Sequence, residues 1–114
     1  MSDTGPTAEV VEEVVRRVVQ VASPEKIILF GSAARGEAGR ESDVDLLVVK
    51  AGADPLDVAR RIYRHLFGVG AAVDVVVVTP EDVDRYRDSP ALVIKHALAE
   101  GKVVYEAERV AEAR

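Results

Sequence analysis

Two aspartates separated by a single residue, Asp43 and Asp45, stand at the head of an apolar run in this chain of 114 residues. Alternate residues of a strand point to the same side, so the two carboxylates would lie close together. At an effective dielectric constant of about 20, their mutual repulsion is on the order of 3 kcal/mol. A bound cation or full solvation must offset this repulsion. The spacing therefore indicates either a cation site or a solvated strand end.

A Gly-Ser pair, Gly31-Ser32, ends an earlier apolar run, and ten residues separate it from Asp43. Backbone amides at the end of a strand can form an anion-binding nest, and glycine lets the main chain approach a phosphate closely. Ser32 adds a hydroxyl at a candidate helix N-terminus, and Arg35 adds a guanidinium that suits phosphate oxygens. The sequence therefore predicts that Gly31, Ser32 and Arg35 bind a nucleotide. The loop lacks the Lys-Ser/Thr pair that a Walker loop requires.

A third carboxylate, Asp74, interrupts a run of valines at residues 73–78. A carboxylate within an apolar strand is costly unless it is paired or bound to a metal. If this strand lies beside the strand of Asp45, Asp74 faces Asp43 and Asp45, and three carboxylates suit Mg²⁺, which prefers oxygen ligands. The alternative is an aspartate at a strand end that reaches solvent.

A predicted alternation of helices and strands must position these residues. Helical spacing of valines and N-cap signals predict four helices, at residues 7–22, 56–67, 80–88 and 90–100. Short apolar runs between turn signals predict four strands, at residues 26–30, 44–50, 73–78 and 102–105. About a dozen residues join the first two strands, which suits a hairpin with a long functional loop. We expect an α/β (α+β) fold: a small mixed sheet of about four strands with helices packed mainly on one face.

The second predicted helix has a capping residue and a proline at its start, and it carries a basic cluster that allows two interpretations. Asp54 is its expected N-cap and Pro55 its first residue. The apolar residues at helical spacing predict a buried stripe of Leu56, Ala59, Ile62, Tyr63 and Leu66. The same helix carries a basic cluster of Arg60, Arg61, Arg64 and His65. This cluster is either a solvated helix face, the simpler interpretation, or a surface for RNA or an acidic partner.

Length and composition narrow the class of protein. The length predicts a single domain, residues 1–114, with residues 1–6 and 107–114 frayed. The chain has no cysteine, so it has neither disulfides nor thiolate metal sites. It shows no signal peptide and no membrane-length apolar stretch, so we expect a cytoplasmic protein without a membrane partner. The net charge of −5 and the scarcity of aromatic residues disfavour direct nucleic-acid binding.

The combined pattern resembles the polymerase-beta-type nucleotidyltransferase superfamily. The pattern comprises GSAARG at residues 31–36, SDVDL at residues 42–46, Asp74, and the closing segment at residues 99–106. Gly-Ser or Asp-x-Asp alone would be weak, but their combination at this spacing is specific. The small size resembles the minimal nucleotidyltransferase branch, whose members pair with HEPN-domain proteins, often as antitoxins.

This resemblance implies a nucleotidyltransferase fold and a division of roles. Asp43 and Asp45 would ligate two Mg²⁺ ions that carry a nucleoside triphosphate, and Gly31 and Ser32 would hold its β- and γ-phosphates. Asp74 would bind the catalytic metal and help to activate an acceptor hydroxyl. The implied reaction moves AMP from ATP to a hydroxyl, such as a tyrosine of a HEPN toxin, with release of pyrophosphate. The alternative is a weakly active or inactive module that neutralises its partner by contact. Either homo- or hetero-oligomers are compatible with the sequence.

Overall fold

The computed structural model describes residues 8–31, 44–86 and 93–107, and these contain eight elements in the predicted order. The helices are α1 (Ala8–Ala22), α2 (Pro55–His65), α3 (Pro80–Tyr86) and α4 (Val93–Glu100). The strands are β1 (Lys26–Phe30), β2 (Val44–Val49), β3 (Val73–Val78) and β4 (Lys102–Glu106). The described bounds lie within a few residues of those predicted. The predictions for residues 32–43 and for the chain ends at 1–6 and 108–114 fall outside the described residues.

The four strands form one mixed sheet in the order β3-β2-β1-β4. Strand β1 pairs antiparallel with both β2 and β4, whereas β2 and β3 are parallel. Parallel neighbours need a crossover connection, and α2 provides it. The predicted α+β fold with a small mixed sheet is therefore confirmed. The antiparallel pairing of β1 and β2 brings the end of β1 beside the start of β2, with Phe30 opposite Asp45.

Each face of the sheet has its own buried cluster. The larger cluster lies beneath α1 and α2, where Val14, Val18 and Ile62 are fully buried against the strands. The smaller cluster lies on the opposite face, where Ala97 of α4 packs with residues of β1 and β2. The two longer helices thus cover one face, and α3 and α4 lie over part of the other.

Local capping explains where two of the helices begin. The Asp54 carboxylate accepts a hydrogen bond from the backbone N–H of Leu56 at 3.3 Å, and Pro55 follows at the first helical position of α2. At α3, the Thr79 hydroxyl accepts from the N–H of Asp82 at 3.0 Å, and the Asp82 carboxylate accepts from the N–H of Thr79 at 3.2 Å. This reciprocal pair satisfies two backbone donors that the helix leaves free. The predicted starts of α2 and α3 are confirmed.

The buried face of α2 differs from the predicted stripe. Leu56 is 60% exposed and Tyr63 is 43% exposed, whereas Val58, which the stripe omitted, is buried beside Ile62. The helix also ends at His65 rather than Phe67. The apolar side of α2 is wider than the surface it buries: Val58 and Ile62 lie on the flank that turns inward, and Leu56 and Tyr63 lie on the other flank. Among the described residues, no helix is both long enough and apolar enough to cross a membrane.

Candidate active site

Asp45 on β2 and Asp74 on β3 are register neighbours in the parallel pair. Their chain neighbours, Leu46 and Val75, are buried in the cluster beneath α1 and α2. Because side chains alternate along a strand, both aspartates project from the opposite face. Asp45 is half-buried and Asp74 is exposed. The structure therefore brings together two of the three carboxylates that the sequence predicted to converge.

Gly31 lies directly after β1, against the carboxylate of Asp45. Its φ of +77° falls in the left-handed region, which side chains other than glycine seldom adopt. A Cβ atom at this position would collide with the Asp45 carboxylate. Glycine therefore allows both the backbone turn and the close approach of main chain and carboxylate.

Three of the predicted site residues, Ser32, Arg35 and Asp43, lie outside the described residues. Their roles in binding phosphate and metal stay predictions. Within residues 8–31, 44–86 and 93–107, no cluster of three or more His, Cys, Asp or Glu side chains could hold a metal ion. The described part of the site consists of Gly31, Asp45 and Asp74.

A contact that the sequence did not predict lies beside Asp74. The hydroxyl of Tyr63, on α2, accepts a hydrogen bond from the backbone N–H of Val75 at 2.8 Å. The same oxygen lies 3.5 Å from the carbonyl oxygen of Val75. The contact joins residues twelve positions apart, so no local sequence signal could have revealed it.

The basic cluster of α2 lies away from the carboxylates. Arg60, Arg61, Arg64 and His65 are all exposed, and α2 covers the face of the sheet opposite to Asp45 and Asp74. Arg61 forms an ion pair with Asp57, one helical turn earlier, at 3.5 Å. These contacts fit the interpretation of a solvated helix face and give the cluster no part in the carboxylate site.

The family model of the polymerase beta nucleotidyltransferases matches residues 12–110 of this chain. This chain belongs to that family. The match spans Gly31, Asp45 and Asp74, and it confirms the resemblance inferred from the sequence pattern. The domain is thus a nucleotidyltransferase.

Solved structures share the fold of this nucleotidyltransferase. A protein of Sulfolobus solfataricus, provisionally assigned as a nucleotidyltransferase, superposes with a TM-score of 0.51 at 22% identity, over 94% of this chain and 96% of that one. A toxin–antitoxin protein crystallised with AMP-PNP gives a TM-score of 0.52 at 22% identity, over 90% and 78%. A mutant of the toxin–antitoxin pair MntA–HpeT gives 0.52 at 20% identity, over the same shares of 90% and 78%. No curated protein sequence matches this nucleotidyltransferase significantly.

Proposed function

We propose that this nucleotidyltransferase transfers AMP from ATP to a hydroxyl, such as that of a tyrosine, on a partner HEPN-domain protein. It would thereby act as an antitoxin of the minimal nucleotidyltransferase type. The observation that supports catalysis is the in-register pair of Asp45 and Asp74, with Gly31 against the first carboxylate. The likeness to a toxin–antitoxin structure crystallised with AMP-PNP, an ATP analogue, supports the choice of nucleotide and of partner.

The described residues fit a divalent cation. Asp45 and Asp74 offer carboxylate oxygens on one face of the sheet, and Mg²⁺ prefers such ligands. At Gly31 the absence of a Cβ makes room for the Asp45 carboxylate itself, which therefore keeps its position against the end of β1. We propose that Asp45 and Asp74, together with Asp43, hold Mg²⁺, with two ions in the complete site. When bound, the metal would stabilise negative charge on the reacting phosphate and on the leaving pyrophosphate.

The chain's own groups would then position the reactants. The backbone after β1, with Gly31 and Ser32, would hold the β- and γ-phosphates, and Arg35 would add a charged contact. Asp74 would accept the proton of the acceptor hydroxyl while the oxygen of that hydroxyl forms a bond to the α-phosphorus of ATP. The bond from that phosphorus to pyrophosphate breaks in the same displacement. Positioning of this kind supplies much of the rate in phosphoryl transfer.

A transfer assay with a matched control tests the proposal. The parent protein, Asp45→Asn and Asp57→Asn are each incubated with α-labelled ATP, Mg²⁺ and the proposed HEPN-domain partner. Asp57 lies on α2, on the opposite face of the sheet, so its substitution removes one carboxylate without touching the site. We expect labelled partner with the parent and with Asp57→Asn, and a loss of at least about a hundredfold with Asp45→Asn.

Two results would count against catalysis. One is a parent protein that labels no acceptor, and the other is equal labelling by the parent and Asp45→Asn. If the parent protein does label the partner, mass spectrometry identifies the acceptor residue. A mass increase of one AMP on a tyrosine supports tyrosine as the acceptor, and an adduct on another residue contradicts it.

The second candidate function is neutralisation by contact. The exposed side chains of Leu56, on α2, and of Phe67, just after it, favour this alternative, because α2 covers the face of the sheet away from the carboxylates. Under this alternative, Asp45→Asn still binds and silences the partner. If Asp45→Asn binds the partner but no longer silences it, neutralisation depends on the carboxylates and the alternative fails.

A further inference from the structure

Strand β3 forms one edge of the described sheet, and its backbone groups alternate between two directions. The carbonyls of Ala72 and Val78 accept hydrogen bonds from Val44 and Lys50, at 3.1 and 2.8 Å. Even-numbered residues of β3 therefore direct their backbone groups toward β2, and the odd-numbered Val75 directs its own toward the outer edge. An outward N–H of this kind has no strand to bond within the described sheet.

Tyr63 of α2 satisfies that outward N–H. Its hydroxyl accepts from Val75 at 2.8 Å, a normal length for a good hydrogen bond. Tyr63 is 43% exposed, so burial alone does not hold its side chain in place. The hydroxyl thus holds the outer side of β3 one residue beyond Asp74, while β2 holds the inner side.

The helix that carries Tyr63 is itself anchored near its C-terminal end. The guanidinium of Arg17, on α1, donates to the carbonyl of Phe67 at 2.9 Å and to that of His65 at 3.4 Å. Glu13, one turn earlier on α1, accepts from Arg17 at 2.7 Å. Because α2 is anchored in this way, the hydroxyl of Tyr63 can restrain β3. A helix without such an anchor would move together with the strand.

We infer that Tyr63 is a positioning residue of the carboxylate pair. Its hydroxyl fixes the backbone of Val75, and this keeps the adjacent Asp74 in register with Asp45. Loss of the hydroxyl frees the outer side of β3 and loosens the separation of the two carboxylates. The inference rests on the proposed function in one respect, since it takes Asp45 and Asp74 to bind a divalent cation.

The test compares Tyr63→Phe with Tyr105→Phe. Both substitutions remove one phenol hydroxyl, but Tyr105 lies on β4, at the other edge of the described sheet. Hydrogen exchange by NMR reports on the amides of Val75 and Asp74, and the EPR signal of free Mn²⁺ reports on metal affinity. For Tyr63→Phe we expect both amides to exchange about tenfold faster and Mn²⁺ to bind about five- to tenfold more weakly, as loss of one hydrogen bond implies. Tyr105→Phe should match the parent in both measurements.

Each contrary outcome has a distinct meaning. Unchanged exchange at Val75 and Asp74 in Tyr63→Phe overturns the inference. Faster exchange with unchanged Mn²⁺ affinity also overturns it, because Tyr63 would then stabilise β3 without positioning the carboxylates. If the parent binds Mn²⁺ no better than Asp45→Asn, the proposed metal site fails, and the exchange rate of the Asp74 amide alone decides whether Tyr63 positions that residue.

Discussion

Gly31 combines two requirements at one residue, a left-handed backbone and a close contact with Asp45. A second glycine, Gly52, separates these requirements. It has the same φ of +77°, but a Cβ there would meet nothing within 4 Å. The pair therefore allows the backbone penalty to be measured apart from the collision with the carboxylate.

Alanine substitutions at the two glycines should have different effects. Each forces a side chain into the left-handed region, at a cost of about 1–2 kcal/mol. Gly31→Ala also displaces the Asp45 carboxylate, so we expect it to weaken Mn²⁺ binding at least about tenfold, whereas Gly52→Ala leaves that affinity unchanged. Urea unfolding measures the shared loss of stability, and EPR measures Mn²⁺ affinity. Equal Mn²⁺ affinity in the two variants would show that the close contact of Gly31 with Asp45 does not contribute to metal binding.

Part of the site was predictable because its signals are local. Gly31 is marked as a glycine that follows an apolar run, and Asp45 and Asp74 are marked as carboxylates within two further apolar runs. None of these signals requires knowledge of the fold. The hydrogen bond from Val75 to Tyr63 was not predictable, since it depends on how α2 is rotated over the sheet. Helical spacing places Tyr63 in a buried stripe of α2, whereas the structure places its hydroxyl at the edge of β3.

At the scale of elements, the start of α2 was predicted correctly, whereas the face that it buries was not. Asp54 and Pro55 marked the start of the helix because capping depends on adjacent residues. Which part of its apolar side turns inward depends on packing against distant elements, and helical spacing alone does not report that packing. Strands β1 and β3 were predicted with their observed bounds, because a short apolar run between turn signals has few alternatives.

The orientation of α2 can be tested by a pair of truncations. Ile62 is fully buried, whereas Leu56 is 60% exposed. Ile62→Ala leaves a cavity in the core, so we expect a loss of about 2–5 kcal/mol in the free energy of unfolding. Leu56→Ala should cost less than about 1 kcal/mol, since most of its side chain already contacts water. Urea denaturation measures both, and equal losses would show that α2 presents a different face to the sheet.

At the scale of the whole molecule, a chain of polar contacts links α1 to the carboxylate site. Glu13 and Arg17 join α1 to carbonyls at the C-terminal end of α2, and Tyr63 joins α2 to the edge of β3. The apolar cluster beneath α1 and α2 supplies most of the packing, but it does not specify how far along its axis α2 lies. The directional contacts of Arg17 and Tyr63, both near the C-terminal end of α2, provide that specification.

The contact between Glu13 and Arg17 predicts a pH-dependent contribution to stability. Hydrogen bonds from Arg17 and then Arg16 hold the pKa of the Glu13 carboxyl below its ordinary value of 4.5. A carboxyl with a lowered folded pKa stabilises the fold above its unfolded pKa, and that contribution is lost as the pH falls through the folded value. Glu13→Gln should therefore be less stable than the parent at pH 7, with a difference that shrinks below pH 4.5 and disappears once Glu13 is protonated in the folded protein.

Thermal unfolding of the parent, Glu13→Gln and Glu12→Gln between neutral and acidic pH measures this difference. Glu12 is the adjacent, exposed residue of α1, so its substitution controls for the loss of one negative charge from the helix. Added salt should reduce the effect of Glu13→Gln, because these side chains are partly exposed to solvent. If the deficit of Glu13→Gln stays constant from neutral to acidic pH, the Glu13 carboxylate does not hold Arg17, and the hydrogen bonds of Arg17 to the carbonyls of His65 and Phe67 do not depend on it.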